Sequence, residues 1–242
     1  MRALLTGFEP YGGRDVNPAS EVMRALDGSS AGRIAVIGRK LPVSYQQIRS
    51  RTPELLDELQ PDIAISLGLW PGETTIRLER LGANLADFEI PDNEGALLED
   101  ASISNATTAA LATTLPIRRI EQELLAKGIP ARLSSTAGTF LCNAMLFTLL
   151  ATARHKYPRM RCGFIHLPYL PAQVAQLLID NRRERRLELH QRADLASMDL
   201  ATMIEVKVDL LTLKECQSYR LMGLCIKSTV CTRNPEPAQK VY

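Results

Sequence analysis

The sequence predicts an α/β fold, a twisted and largely parallel sheet with helices on both faces. Three observations predict it. Short, almost continuously apolar runs recur along the 242 residues, as in strands covered on both sides. Segments of helical composition lie between them, several opened by a cap or a proline and closed by glycine. Regular alternation of the two is the pattern of βαβ units. The length lies near the upper end for one domain and is enough to close a substantial core.

In chain order, RALLTGF (2–8) is the first strand, and NPASEVMRALDG (17–28) is a helix with Asn17 as cap and Gly28 as stop. IAVIGRKLPV (34–43) is the second strand. SYQQIRSRTPELLDELQ (44–60) is helical, with Pro53 expected to interrupt it. DIAISLG (62–68) and TIRLERLGANL (75–85) are strands, and LPIRRIEQELLAKG (115–128) is a helix begun by Pro and ended by Gly. ARLSS (131–135) and CGFIHLP (162–168) are strands, and the apolar run after Thr139 is a helix with Cys142 at its start. Glycine or proline follows several strands, in TGFEPYGG, GLWPGE and HLPYLP, on the rim where open α/β sheets collect ligands. Turn chemistry alone also explains those residues.

Composition excludes several classes. A hydrophobic fraction of 45%, a charged fraction of 23% and a net charge of +2 are those of an ordinary soluble protein, with no call for nucleic acid. The mixed cluster NRRERRLELHQR (181–192) carries Glu184 and Glu188 among its arginines, which favours a solvated helix face over a nucleic-acid stripe. The first residues lack the apolar length of a signal peptide and no run reaches membrane-spanning length, so a cytoplasmic protein without membrane partners is expected. Five scattered cysteines, at 142, 162, 216, 225 and 231, form neither a disulfide framework nor CxxC pairs. No metal is expected. From about residue 214 the pattern loses helical periodicity, and residues 214–242 are expected to be a loosely attached tail on a single α/β domain of residues 1–213.

The helix start at Cys142 raises the question of a nucleophile, since free N–H groups and the helix dipole stabilise a thiolate there. The plainer reading is a small buried hydrophobe. A thiolate needs a base and a group to fix it. Of three histidines, His155 and His190 lie in polar surroundings, whereas His166 ends an apolar strand. Glu79 lies inside a strand-like run, where a buried carboxylate needs a partner, and a surface pair with Arg77 or Arg80 would also account for it. Four residues along a strand place Cys162 roughly 13 Å from His166.

At these residues the chain resembles the pyroglutamyl peptidase I (pyrrolidone-carboxylate peptidase) family of cysteine peptidases. The likeness rests on TGFEPYGG with NP at 17–18, LERLGANLADFEIPDNEG (78–95), TTLPI (113–117), STAGTFLCN (135–143), GFIHLPYLP (163–171) and SMDLATM (197–203). They stand in the family's order over some 200 residues. The resemblance implies an α/β/α sandwich, Cys142 as nucleophile, His166 as base and Glu79 as the acid that orients it. It also implies an apolar slot to which Phe8, Tyr11, Leu69, Ile90, Phe140 and Leu141 contribute. The implied activity is release of N-terminal pyroglutamate from peptides through a thioester, by a homotetramer without cofactor.

The surroundings of these residues depart from the family. Many members have Arg where this chain has Glu89 and where it has Glu73, and the segment 99–112 lacks the usual Gly-Pro-Ala-Tyr-like run. Beside the peptidase reading stands a homologue that keeps fold and triad but only binds. A carboxylate about 4 Å from a developing oxyanion would oppose it by roughly 4 kcal/mol at an effective dielectric of 20. Glu89 is therefore expected to point away from the thiol and to pair with a basic side chain.

Overall fold

The computed structural model describes residues 1–105, 107–183 and 195–212. The chain forms β1 (Arg2–Phe8), α1 (Pro18–Leu26), β2 (Ser30–Ala31), β3 (Ile34–Leu41), α2 (Tyr45–Leu59) and β4 (Ile63–Leu69). There follow β5 (Ile76–Glu79), β6 (Leu81–Ala83), β7 (Ala110–Ala112), α3 (Ile117–Ala126), β8 (Ala131–Ser134) and α4 (Leu141–Lys156). The last elements are β9 (Arg161–Leu167), α5 (Pro171–Arg183) and α6 (Leu200–Thr212). The proposed tail, His190 and Cys216, Cys225 and Cys231 lie outside the described residues, as does most of the 181–192 cluster.

Seven strands form one sheet in the order β2-β3-β1-β4-β9-β5-β8. β1, β3, β4 and β9 run parallel, β8 runs parallel to β5, and β5 is antiparallel to β9. Strand alternation sorts the side chains into two layers. Ala3 and Leu5, Ile63, Ile65 and Leu67, Ile76 and Leu78, and Ile165 and Leu167 pack against Val22, Met23 and Leu26 of α1, Ile120 and Leu124 of α3 and Met203 and Val206 of α6. Leu4 and Phe8, Ala64, and Cys162 and Phe164 pack on the opposite side against Ile48, Leu56 and Leu59 of α2 and a run of α4 from Leu141 to Ala153. The predicted three-layer α/β/α architecture follows from these two cores.

Two expected elements differ. Pro53 does not interrupt α2, which runs unbroken over 15 residues. A proline inside a helix costs about 3 kcal/mol. Burial of Ile48, Leu56 and Leu59 on the face toward α4 contributes roughly 1.5–3 kcal/mol for each side chain. Packing therefore outweighs the lost backbone bond.

The expected strand 75–85 is cut after Glu79, and its second half pairs with β7 in a separate two-stranded sheet. Asn143, fully buried on α4, draws the chain away: its Oδ1 accepts from Ala83 N at 2.8 Å, and its Nδ2 donates to Ala83 O at 2.9 Å and Leu85 O at 2.8 Å. The start of α4 is thereby tied to the segment that follows Glu79.

Candidate active site

Helix α4 begins at Leu141 after the loop 135–140, with Phe140 as a cap residue whose side chain makes no capping bond. The first amide of the helix to find an intrahelical partner is that of Ala144, which donates to Phe140 O. Those of Leu141, Cys142 and Asn143 have no backbone acceptor within the helix, as at any helix N-terminus. Cys142 is half-buried at the second position.

Its sulfur lies against Gly68 of β4. A Cβ on Gly68 would come within 2.8 Å of Cys142 Sγ and 2.7 Å of the Phe164 ring. Only glycine leaves room there for the thiol. Gly68 is the register partner of His166 across the parallel β4–β9 pair, so the sulfur and the imidazole share one face of adjacent strands.

His166 is fully buried and held on three sides. Its Nδ1 donates to Glu79 Oε1 at 2.8 Å, which leaves Nε2 as the acceptor. The Trp70 ring stands edge-on at 5.0 Å and the Phe164 ring tilts against it at 4.8 Å. The antiparallel register of β5 on β9 sets Arg77 opposite His166 and Glu79 on the diagonal, within reach across the strands. Glu79 also pairs with Arg77 at 3.2 Å, but this ion pair is buried, not at the surface.

A narrow apolar slot opens at the sulfur, lined by Phe8, Tyr11, Leu69, Phe140 and Leu141 together with Asn17, Val43 and Cys142. Ile90, expected in the slot, does not line it and is 43% exposed. Its loop is docked by Asn93, whose backbone N–H donates to Val43 O and whose side chain donates to Glu9 and Pro10, and this turns Ile90 outward beside Gly12. Glu89 in the same loop is exposed and forms no ion pair among the described residues, so the expected basic partner is absent there.

The charge states also correct the expectation of an acidified thiol. Burial, and then the negative charge of Glu79, push Cys142 up to about 12, while its own backbone N–H acts in the opposite sense and loses. Desolvation outweighs the helix start. Burial likewise pulls His166 below its ordinary value, against the hydrogen bond and charge of Glu79, with Arg77 adding to the fall. Both shifts favour the neutral forms, thiol and imidazole.

A depressed His166 binds its proton less readily folded than unfolded, so stability is lost as pH falls below about 6.5. Cys142, and Cys162 pushed up to about 11, hold their protons more tightly folded, so stability is also lost as pH rises above about 9. Urea midpoints measured from pH 4 to 11 should be highest between these limits.

Among the residues that sequence reasoning passed over, Gly68, Asn143 and Trp70 shape the site; of GLW only Leu69 is singled out in the sequence, by the family resemblance. His155 is exposed, in keeping with a surface residue. Cys162 is buried beside Thr114, away from the slot. Among the described residues no group of His, Cys, Asp and Glu is arranged to hold a metal ion.

A thiol at a helix start, beside an imidazole held by a buried carboxylate on an α/β sheet, defines the class of cysteine-dependent acyl-transfer proteins. The chain belongs to the pyroglutamyl peptidase family, whose sequence model matches residues 1–184. It is 43% identical over 175 residues to the pyrrolidone-carboxylate peptidase of Pyrococcus furiosus, covering 72% of this chain and 84% of that one. The solved structure of the pyrrolidone carboxyl peptidase from Thermococcus litoralis superposes with a TM-score of 0.79 at 35% identity, covering 87% of this chain and 91% of that one. Pyroglutamyl peptidase I from Bacillus amyloliquefaciens superposes with a TM-score of 0.78 at 35% identity, covering 87% and 93%.

Proposed function

We propose that this chain is a cysteine peptidase that releases N-terminal pyroglutamate from peptides, with Cys142 as nucleophile, His166 as base and Glu79 as its positioning residue. The observation that carries the reading is the Cys142 sulfur in the wall of a small apolar slot, on the sheet face where Glu79 holds His166. A pyroglutamyl residue has a lactam in place of the N-terminal ammonium, and Phe8, Tyr11, Leu69, Phe140 and Leu141 present it no charge.

In the first step the thiol proton passes to His166 Nε2 as the sulfur bonds to the acyl carbon. The oxyanion faces the open N–H groups at the start of α4. Collapse breaks the C–N bond, and His166 returns the proton to the leaving amine. Water, deprotonated by His166, then cleaves the thioester, which frees pyroglutamate and restores the thiol.

A pyroglutamyl-aminocoumarin reporter beside its prolyl analogue tests the reading. Release from the first alone is expected, and a chain that leaves both intact contradicts it. Glu79→Gln should lower kcat roughly 10²–10⁴-fold with a smaller change in KM, because the carboxylate orients the base without touching substrate. Steady-state kinetics of that variant decide the point. With His166 depressed, kcat/KM of the wild type should hold at pH 6.5 and fall only at lower pH, as a profile across pH 4–9 would record.

In this reading residues 1–213 are one catalytic unit and 214–242 an appended tail, in a cytoplasmic homotetramer. No helix of the described residues is long and apolar enough to cross a membrane. Helix α5 leaves Leu178 and Ile179 38% and 44% exposed, apolar area that contact between copies would cover. Light scattering of the purified chain reads the assembly.

A further inference from the structure

Behind His166 lies a chain of buried charges that the proposed reaction does not itself require. Glu79 Oε1 accepts from both His166 Nδ1 and Arg77 Nε, whereas Glu79 Oε2 is buried with no partner among the described residues. A carboxylate with one oxygen accepting two hydrogen bonds and the other none is not held by its contact with the histidine alone. Arg77 supplies the second point. Its guanidinium is fixed in turn: Nη2 donates to Ser134 Oγ at 2.7 Å and Thr136 O at 2.9 Å, Nη1 donates to Glu73 Oε2 at 3.4 Å, and Cζ lies 3.7 Å from the Trp70 ring centre.

Glu73 is buried at the far end. Its Oε2 also accepts from Arg132 at 2.6 Å, and its Oε1 accepts from the backbone N–H groups of Thr74 and Thr75 and from the Thr75 hydroxyl. The charges that face His166 are thus Glu79 and Arg77 on β5 and Glu73 on the turn before it, with Arg132 of β8 behind Glu73 and the Cys142 thiol from α4. Trp70 touches both Arg77 and His166, so the cation and the base share one aromatic wall.

We propose that Arg77 is a further positioning residue of this site, locking Glu79 against His166, and that Glu73 and Arg77 act as opposed charges that set the pH at which the thiol–imidazole pair works. The proposal rests on the peptidase reading for its kinetics but not for its electrostatics. A positive charge at Arg77 disfavours the imidazolium and favours a thiolate, and both effects move the acid limb of the profile toward lower pH. The negative charge of Glu73 does the reverse.

The test compares wild type, Arg77→Met, Arg77→Lys and Glu73→Gln in two pH profiles. One is kcat/KM on the pyroglutamyl reporter, and the other is the rate of iodoacetamide modification at Cys142, read by peptide mapping. Arg77→Met should move the acid limb to higher pH and lower kcat roughly ten- to hundredfold, as expected when a catalytic group loses its alignment. Arg77→Lys should bring the limb back without restoring all of kcat, since it returns the charge but not the fork. Glu73→Gln should move the limb to lower pH.

Limbs that stay in place, or that move in the same direction for Glu73→Gln and Arg77→Met, overturn the proposal. Should Arg77→Met fail to fold, the near-isosteric Glu73→Gln carries the sign by itself. Loss of reporter cleavage in the wild type would strike the peptidase reading instead, while the modification profiles still decide the role of the charge pair.

Discussion

Cys142→Ala should lower the release of pyroglutamate by about a millionfold, the loss seen when a hydrolase whose nucleophile and base work as one unit is deprived of the nucleophile. Alanine fits the site without a clash, because the sulfur lies against the bare Cα of Gly68 and the Phe164 ring. The fold should survive. Cys162→Ser is the matched control: the residue is equally a thiol on the same sheet face, but it is buried beside Thr114 and not in the slot. It should keep kcat near that of wild type at a stability cost of at most about 1–3 kcal/mol, with Thr114 as a ready hydrogen-bond partner. Steady-state kinetics and urea unfolding of the two variants, run side by side, separate nucleophile from core. Comparable losses of activity in both would contradict the assignment.

Gly68→Ala should be the most damaging change that leaves every polar group of the site in place. The added methyl would stand 2.8 Å from Cys142 Sγ and 2.7 and 2.9 Å from two atoms of the Phe164 ring. Contacts that short force one of them to move. The ring is packed against His166 on one side and Phe8 on the other, so the sulfur has the freer path. A displacement of about 1 Å at a reacting atom can cost on the order of a hundredfold in rate. Overpacking adds a stability loss of about 1–3 kcal/mol. A hundredfold fall in kcat with an intact circular dichroism spectrum is expected, and unaltered kinetics would remove Gly68 from the account.

The layers of this fold were legible because hydrophobic alternation and helix punctuation agree along most of the chain. β1, β4, β8 and β9 begin and end within a residue or two of the apolar runs that announce them. Asn17 caps α1 by accepting from Ala19 N, as its place before Pro18 implies. What failed was local reasoning where tertiary contacts decide. Pro53 reads as a break until α4 covers the face that carries Ile48 and Leu56. TIRLERLGANL reads as one strand until Asn143 captures its second half.

The site shows the same division. Cys142, His166 and Glu79 could be singled out from their positions at a helix start, a strand end and a strand interior, and the family motifs joined them. Neither the antiparallel turn of β5 onto β9 nor the doubly used oxygen of Glu79 leaves a mark on the sequence. Arg77 was readable only as a possible partner for Glu79, because nothing local says whether such a pair is buried. The helix start suggested an acidic thiol, and burial reversed the sign. Desolvation depends on everything that surrounds the sulfur, most of it distant in sequence.

In the proposed reaction Cys142 carries the acyl group during turnover. Rapid acid quench of the wild-type chain during reaction with a pyroglutamyl ester, followed by peptide mapping, tests it most directly, because a thioester survives in acid while the enzyme does not turn it over. A pyroglutamyl adduct is expected on the peptide that contains Cys142, and on no other cysteine peptide. Continuous release of pyroglutamate with Cys142 unmodified at every quench time, or with the adduct on another residue, would contradict it.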